Sequence, residues 1–140
     1  MNLVLDSSLA LAFVLGDEAT PETDHVLRGF GHGTFAFAPP LLRWEVGSVL
    51  LLAERRQRIT HADAQRHLLL LKRLPIEIDD HALEEAWGTV LSLARKHGLT
   101  GYDAAYLELA MRRRVALGSL DRELRTAAKA ENVPLVPEKI

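Results

Sequence analysis

Four carboxylates, Asp6, Glu45, Asp103 and Asp121, are the side chains of this sequence best suited to chemistry. Brought together without a counter-charge, they would repel one another by up to about 4 kcal/mol per close pair at an effective dielectric of about 20. A divalent cation removes that cost. The chain has no cysteine, and its six histidines are scattered, with no pair at the i, i+4 spacing of helical zinc sites. Hard oxygen donors of this kind select Mg²⁺ or Mn²⁺ over Zn²⁺. An ion so held can lower the pKa of a bound water and stabilise developing negative charge, and the residues alone leave open on which substrate.

Whether the four acids can meet depends on the elements that carry them. Residues 3–5 are a short apolar run ending at Asp6, and Ser7 or Ser8 can cap an apolar helix running through Leu9, Phe13 and Val14 to Gly16. Thr20 followed by Pro21 predicts a second helix to about Gly29. Residues 34–38 read as a second strand, closed by Pro39 and Pro40, and residues 41–56 as a helix with Glu45 in an early turn. Thr60 caps a further helix that carries residues 68–71. Residues 76–78 read as a third strand and residues 82–97 as a helix stopped by Gly98. Thr100 caps a helix from Gly101 to about Arg113, with Asp103 in its first turn. Residues 115–119 are a fourth strand, and a last helix over 122–131 leads to a short fifth strand at Leu135 and Val136. Strands alternating with helices favour parallel neighbours joined by right-handed crossovers. The expected fold is α/β, a three-layer α/β/α sandwich around a mostly parallel sheet of about five strands.

In an open α/β sheet, ligands sit beyond the carboxyl ends of the strands. Asp6 and Asp121 follow strands one and four, and Glu45 opens the helix after strand two, whereas Asp103 follows no strand. Helix spacing adds independent evidence. Glu45 shares a face with Leu41, Leu42, Ser48, Val49 and Leu52, and Asp103 with Tyr106, Leu107 and Ala110, with no Lys or Arg on either face. A carboxylate turned from an apolar face toward the core must be neutralised, paired or bound to a cation. Each acid also has a plainer role: helix caps for Asp6 and Asp121, a first-turn acid for Asp103, a buried hydrogen bond for Glu45.

A length of 140 residues suits one domain spanning residues 1–140. With 48% apolar and 26% charged residues, the composition is that of a globular chain and not a disordered one. No apolar run approaches the roughly 18 residues of a membrane span, and no basic leader precedes the first strand, so the expected location is cytoplasmic, away from any membrane. A net charge of −2 means that contact with nucleic acid must rely on Arg concentrated locally. Arg43, two residues before Glu45, is the best-placed candidate for touching phosphate. Arg112 to Arg114, and Arg55, Arg56 and Arg58, sit at helix ends where cations offset the dipole. Trp44 and Trp87 read as packing or interface residues. Glycines 29, 31 and 33 precede a strand instead of opening a helix, and read as a flexible connection.

The segments LVLDSS at 3–8, PPLLRWEVGSVL at 39–50, LTGYDAAYLELA at 99–110 and LGSLDREL at 117–124 resemble the motifs of PIN-domain nucleases. Within that superfamily the likeness is to VapC-type toxins of type II toxin-antitoxin pairs. It runs over nearly the whole chain, and YDAAYLELA is its most specific part. The resemblance implies that Asp6, Glu45, Asp103 and Asp121 form an acidic quartet and that Ser119 supplies the hydroxyl two residues before the last acid. Ser119 stands where Thr is commoner and keeps the hydroxyl, and Ser48 stands where many relatives carry Asn. The implied activity is a Mg²⁺- or Mn²⁺-dependent endoribonuclease acting on RNA, working as a homodimer and inhibited by a cognate antitoxin that inserts a segment into or near the acidic pocket. Two further readings keep the fold: an RNA-processing nuclease without an antitoxin, and a catalytically silent binding module. An aspartyl phosphatase would want a second Asp two residues after Asp6, where Ser8 stands.

Overall fold

The computed structural model describes all 140 residues. Its five strands are β1 (Asn2–Leu5), β2 (Phe35–Ala38), β3 (Ile76–Ile78), β4 (Ala116–Gly118) and β5 (Leu135–Val136). They form one sheet in the order β3-β2-β1-β4-β5, with every pair parallel. Parallel strands covered on both faces need continuous apolar runs. β1 supplies one: Leu3, Val4 and Leu5 have no exposed surface.

Eight helices flank the sheet: α1 (Ser7–Ala12), α2 (Pro21–Gly29), α3 (Leu41–Arg55), α4 (His61–Arg73), α5 (Ala82–Glu85), α6 (Thr89–His97), α7 (Gly101–Arg113) and α8 (Arg122–Ala130). Right-handed crossovers place α1–α4 on one face and α5–α8 on the other. The result is the expected three-layer sandwich. The caps at Thr20, Thr60 and Thr100 each accept a bond from the backbone N–H three residues on, and Gly98 ends α6 in the left-handed region, at φ 66°. No helix is long and apolar enough to cross a membrane.

Three elements depart from the sequence reading. The first helix stops at Ala12, short of Gly16, and it is capped by Asp6 instead of Ser7 or Ser8. The helix expected over 82–97 is broken at 86–88, where Gly88 (φ −108°, ψ −104°) leaves the helical region and Trp87 stands almost wholly in solvent. The face of α3 that carries Glu45 is only partly a core face. Leu42, Val46, Leu50 and Ala53 are buried, whereas Val49 and Leu52 remain exposed. Apolar spacing locates an apolar face but does not say whether the chain's own core or another surface covers it.

Two buried carboxylates, Asp79 and Glu108, are neutralised locally. Arg112 bridges Glu108 and Asp79, with nitrogen–oxygen distances of 2.7 and 2.8 Å, and Arg113 donates to the same Asp79 at 3.2 Å while lying over the Phe37 ring. The cations that end α7 thus fasten it to the end of β3. Leu5 and Gly118 are register partners, and the Gly118 carbonyl accepts the Asp6 N–H at 3.0 Å. A Cβ at Gly118 would lie 2.8 Å from Leu9 Cδ2 and 3.1 Å from both Leu3 Cδ1 and the Val4 carbonyl. The Val4 oxygen belongs to the central strand and cannot yield. Gly118→Ala is therefore expected to cost about 1–3 kcal/mol of stability, read from the midpoint of urea unfolding.

Candidate active site

β1 and β4 are neighbours, yet the chain leaves them in opposite directions, through β2 and β3 on one side and β5 on the other. The loops following such a pair diverge to opposite faces and open a crevice at the carboxyl edge. Asp6 and Asp121 stand at its two lips. Asp6 Oδ1 accepts the Leu9 N–H at 2.9 Å, and Asp121 Oδ1 accepts the Leu124 N–H at 2.8 Å, so both acids are helix caps. The cap by itself takes one oxygen of each carboxylate and so does not exclude a chemical role.

Two hydroxyls complete the hold on Asp6. Ser8 Oγ donates to Oδ1 at 2.7 Å and accepts the Leu120 N–H at 2.8 Å. Ser119 Oγ donates to Oδ2 and accepts the Asp121 N–H at 3.1 Å. The loop from β4 into α8 is thereby bolted to the end of β1 through one carboxylate. Under this junction, the buried Arg125 donates to the carbonyls of Ser119, Pro137 and Glu138, at 2.9, 2.8 and 3.0 Å, joining the C-terminal segment to the same point. Ser119 was legible in the sequence. Ser8 was visible chiefly as a helix cap, and Arg125 was not singled out by any sequence signal.

Glu45 and Asp103 approach from the two helical layers, α3 and α7, and both are half-buried. The Tyr106 hydroxyl donates to Glu45 Oε1 at 2.5 Å. Tyr106 was seen in the sequence only as an apolar neighbour of Asp103. The Asp103 N–H is capped by Thr100 Oγ1 at 3.1 Å, which places the acid in the first turn. Arg43 is elsewhere: it lines an apolar groove of about 530 Å³ with Leu42, Val46, Leu68 and Lys72. The histidines are also elsewhere, with His61, His81 and His97 paired to glutamates.

No Lys, Arg or His forms an ion pair with any of the four acids. Burial pushes the Asp6 carboxyl up to about 6, against the hydrogen bonds from Ser119, Leu9 and Ser8, and the charge of Asp121 adds to the rise. Asp103 is also raised, by desolvation first and then by the charges of Asp121 and Glu45. The acids therefore feel one another without neutralising one another. Their donor set is all oxygen, which fits Mg²⁺ or Mn²⁺ in chemistry and charge, although no three of them lie close enough to grip an ion as a set.

The raised Asp6 makes stability depend on pH. Between its ordinary value of 3.8 and about 6, the folded chain holds a proton that the unfolded chain has released. Stability from this group is complete below that window and is lost as pH rises through it, by on the order of 2–3 kcal/mol. The measurement is urea unfolding in chelator at pH 4 and 7.5 for wild type and Asp6→Asn, since the difference between them cancels the other acids. That difference should move in favour of Asn by this amount as pH rises; a constant difference would mean that Asp6 titrates normally.

Comparison with known proteins agrees with this fold. The PIN domain family model matches residues 3–130. Ribonuclease VapC3 of Pyrobaculum aerophilum is 30% identical over 124 residues, which is 89% of this chain and 92% of that protein. Among solved structures, PAE2754 from Pyrobaculum aerophilum superposes with a TM-score of 0.68 at 25% identity, covering 91% of this chain and 84% of that one. The fold is also shared with a chain of the Rickettsia felis VapBC2 structure, solved bound to a DNA fragment from its promoter, with a TM-score of 0.67 at 12% identity, covering 96% and 97% of the two chains. The chain belongs to the PIN-domain family, in which it is similar to the VapC ribonucleases.

Proposed function

We propose that the chain is a Mg²⁺- or Mn²⁺-dependent endoribonuclease and the toxin of a VapBC-type toxin-antitoxin pair. The observation that carries this reading is the cluster itself: Asp6, Glu45, Asp103 and Asp121 at the switch point of the sheet, none of them paired with a cation. The name of the ribonuclease relative adds RNA as the substrate class. The VapBC2 neighbour adds an antitoxin as the partner class.

When bound, the divalent ion supplies the charge that lowers the pKa of an attacking water and stabilises the phosphate and the leaving oxygen. Asp6, Asp103 and Asp121 are the residues we assign to holding it, and Glu45 to holding it or orienting the water. The protein contributes orientation. Ser8 and Ser119 fix both oxygens of Asp6, the Leu124 N–H fixes Asp121, and Tyr106 fixes Glu45.

Exposed apolar residues support partners. Trp44, Leu51 and Leu52 of α3 and Leu68, Leu69 and Leu70 of α4 all face solvent, which is more than isolated surface residues require. We assign this surface to a second copy of the chain, and the surroundings of the acidic cluster to a segment of the antitoxin. Sedimentation equilibrium should give twice 15.6 kDa for the wild type, and the subunit mass for a folded Leu52→Asp/Leu69→Asp variant. A monomeric wild type would leave the surface to the antitoxin alone.

Asp103→Asn tests the activity, because Asp103 carries no bond on which the core depends. Cleavage of unstructured RNA should require Mg²⁺ or Mn²⁺ and fall by about 100-fold or more in this variant. Unfolding of the metal-free variant should show equal or greater stability, since a repelling charge is gone. Undiminished cleavage would remove the cluster from the chemistry. Calorimetry showing no Mn²⁺ binding by the wild type, with tight Zn²⁺ uptake, would overturn the choice of ion.

A further inference from the structure

We infer that the Tyr106 hydroxyl is a positioning residue of the acidic cluster, holding Glu45 in the one orientation that presents its second oxygen to the site. The inference deepens the nuclease reading and rests on it. Tyr106 lies one helical turn beyond Asp103 on α7 and is 1% exposed, while Glu45 belongs to α3 on the opposite face of the sheet. The bond between them, at 2.5 Å, is the side-chain hydrogen bond that joins these two layers at the carboxyl edge.

A buried phenol needs a partner for its O–H, and a carboxylate makes the bond short and strong. The bond occupies Oε1 alone and leaves Oε2 for other work. Glu45 otherwise has little to restrain it: Trp44 and Ser48 beside it are exposed, and its own face of α3 continues into exposed Val49 and Leu52. A glutamate that must be ordered at the moment of binding loses affinity to that ordering. One ordered in advance by a rigid aromatic side chain does not.

The alternative is that Tyr106 merely fills the core between α7 and the sheet. Phenylalanine would do that equally well, so Tyr106→Phe separates the two roles by removing a single oxygen. Three variants are compared with wild type in the full chain: Tyr106→Phe, Glu45→Gln and the double variant. Mn²⁺ affinity is read by calorimetry, and kcat and KM by cleavage of unstructured RNA. Tyr106→Phe should weaken Mn²⁺ binding by about 10–100-fold and lower kcat by a similar factor with KM unchanged, the range seen when the partner orienting a metal ligand is removed. In the Glu45→Gln background, removing the hydroxyl should change neither quantity further, because Tyr106 acts only through Glu45. Wild-type Mn²⁺ affinity and kcat in Tyr106→Phe would overturn the inference, as would an undiminished effect in the Gln background. If the Mn²⁺ results follow this pattern while the wild type cuts no RNA, the nuclease reading fails and the positioning role stands. A wild type that binds no Mn²⁺ overturns both.

Discussion

A carboxylate buried at the end of the central strand is the constraint around which this protein is arranged. Asp6 is 3% exposed, and an ionised group there is tolerated only if donors surround it. The surrounding donors are two hydroxyls and one backbone N–H, and each hydroxyl also accepts an N–H from the loop after β4. Satisfying Asp6 therefore requires β1, the first turn of α1 and the β4–α8 junction to meet in one place. The approach that this demands is possible because Gly118 has no side chain where Leu3, Val4 and Leu9 crowd. Sequence-local choices, a serine two residues after Asp6 and another two before Asp121, become a long-range tether only through the parallel pairing of β1 with β4.

The helical layers obey a related constraint. α7 must deliver Asp103 to the crevice at its start and be held down at its end, and the two jobs use opposite charge. At the start, Thr100 caps the helix and Asp103 stays free of cations. At the end, Arg112 and Arg113 draw in Asp79, Glu108 and Glu77. Buried ion pairs of this kind contribute little net stability, but breaking one leaves an uncompensated charge, so they specify where the helix lies. The slope of α7 across β1, β2 and β4 is thereby tied at the end away from the site.

Much of this was legible in the sequence, and the limits have physical causes. The five strands and their parallel neighbours follow from short apolar runs alternating with capped helices, and the strand ends put Asp6 and Asp121 on one edge. Thr20, Thr60 and Thr100 were readable as caps because capping is local chemistry. The contacts that were not readable are those between residues distant in the chain. Tyr106 with Glu45 is separated by 61 positions, and Ser8 with the Leu120 N–H by 112. The outward apolar face of α3 shows a different limit. Spacing reports that Val49 and Leu52 seek cover, and only the folded chain shows that its own core does not provide it. Trp44 and Trp87, 70% and 92% exposed, likewise belong to no packing within the chain.

The treatment of Arg125 explains how an acidic cluster can persist in a chain with 17 Lys and Arg residues. A buried guanidinium within the field of Asp6 could have paired with it directly, and such a pair would have cancelled the carboxylate's charge. Instead all of its hydrogen bonds go to the carbonyls of Ser119, Pro137 and Glu138. Carbonyl dipoles satisfy the N–H groups without cancelling a carboxylate. Desolvation lowers the pKa of Arg125, and the field of Asp6 partly opposes that fall, so the two charges support each other at a distance. Arg112 and Arg113 are committed to Asp79, Lys96 to Glu131, and Arg58 to Asp17. With these cations engaged elsewhere, none of them cancels an acid at the sheet edge, and the charge of Asp121 is left to raise the pKa of both Asp6 and Asp103.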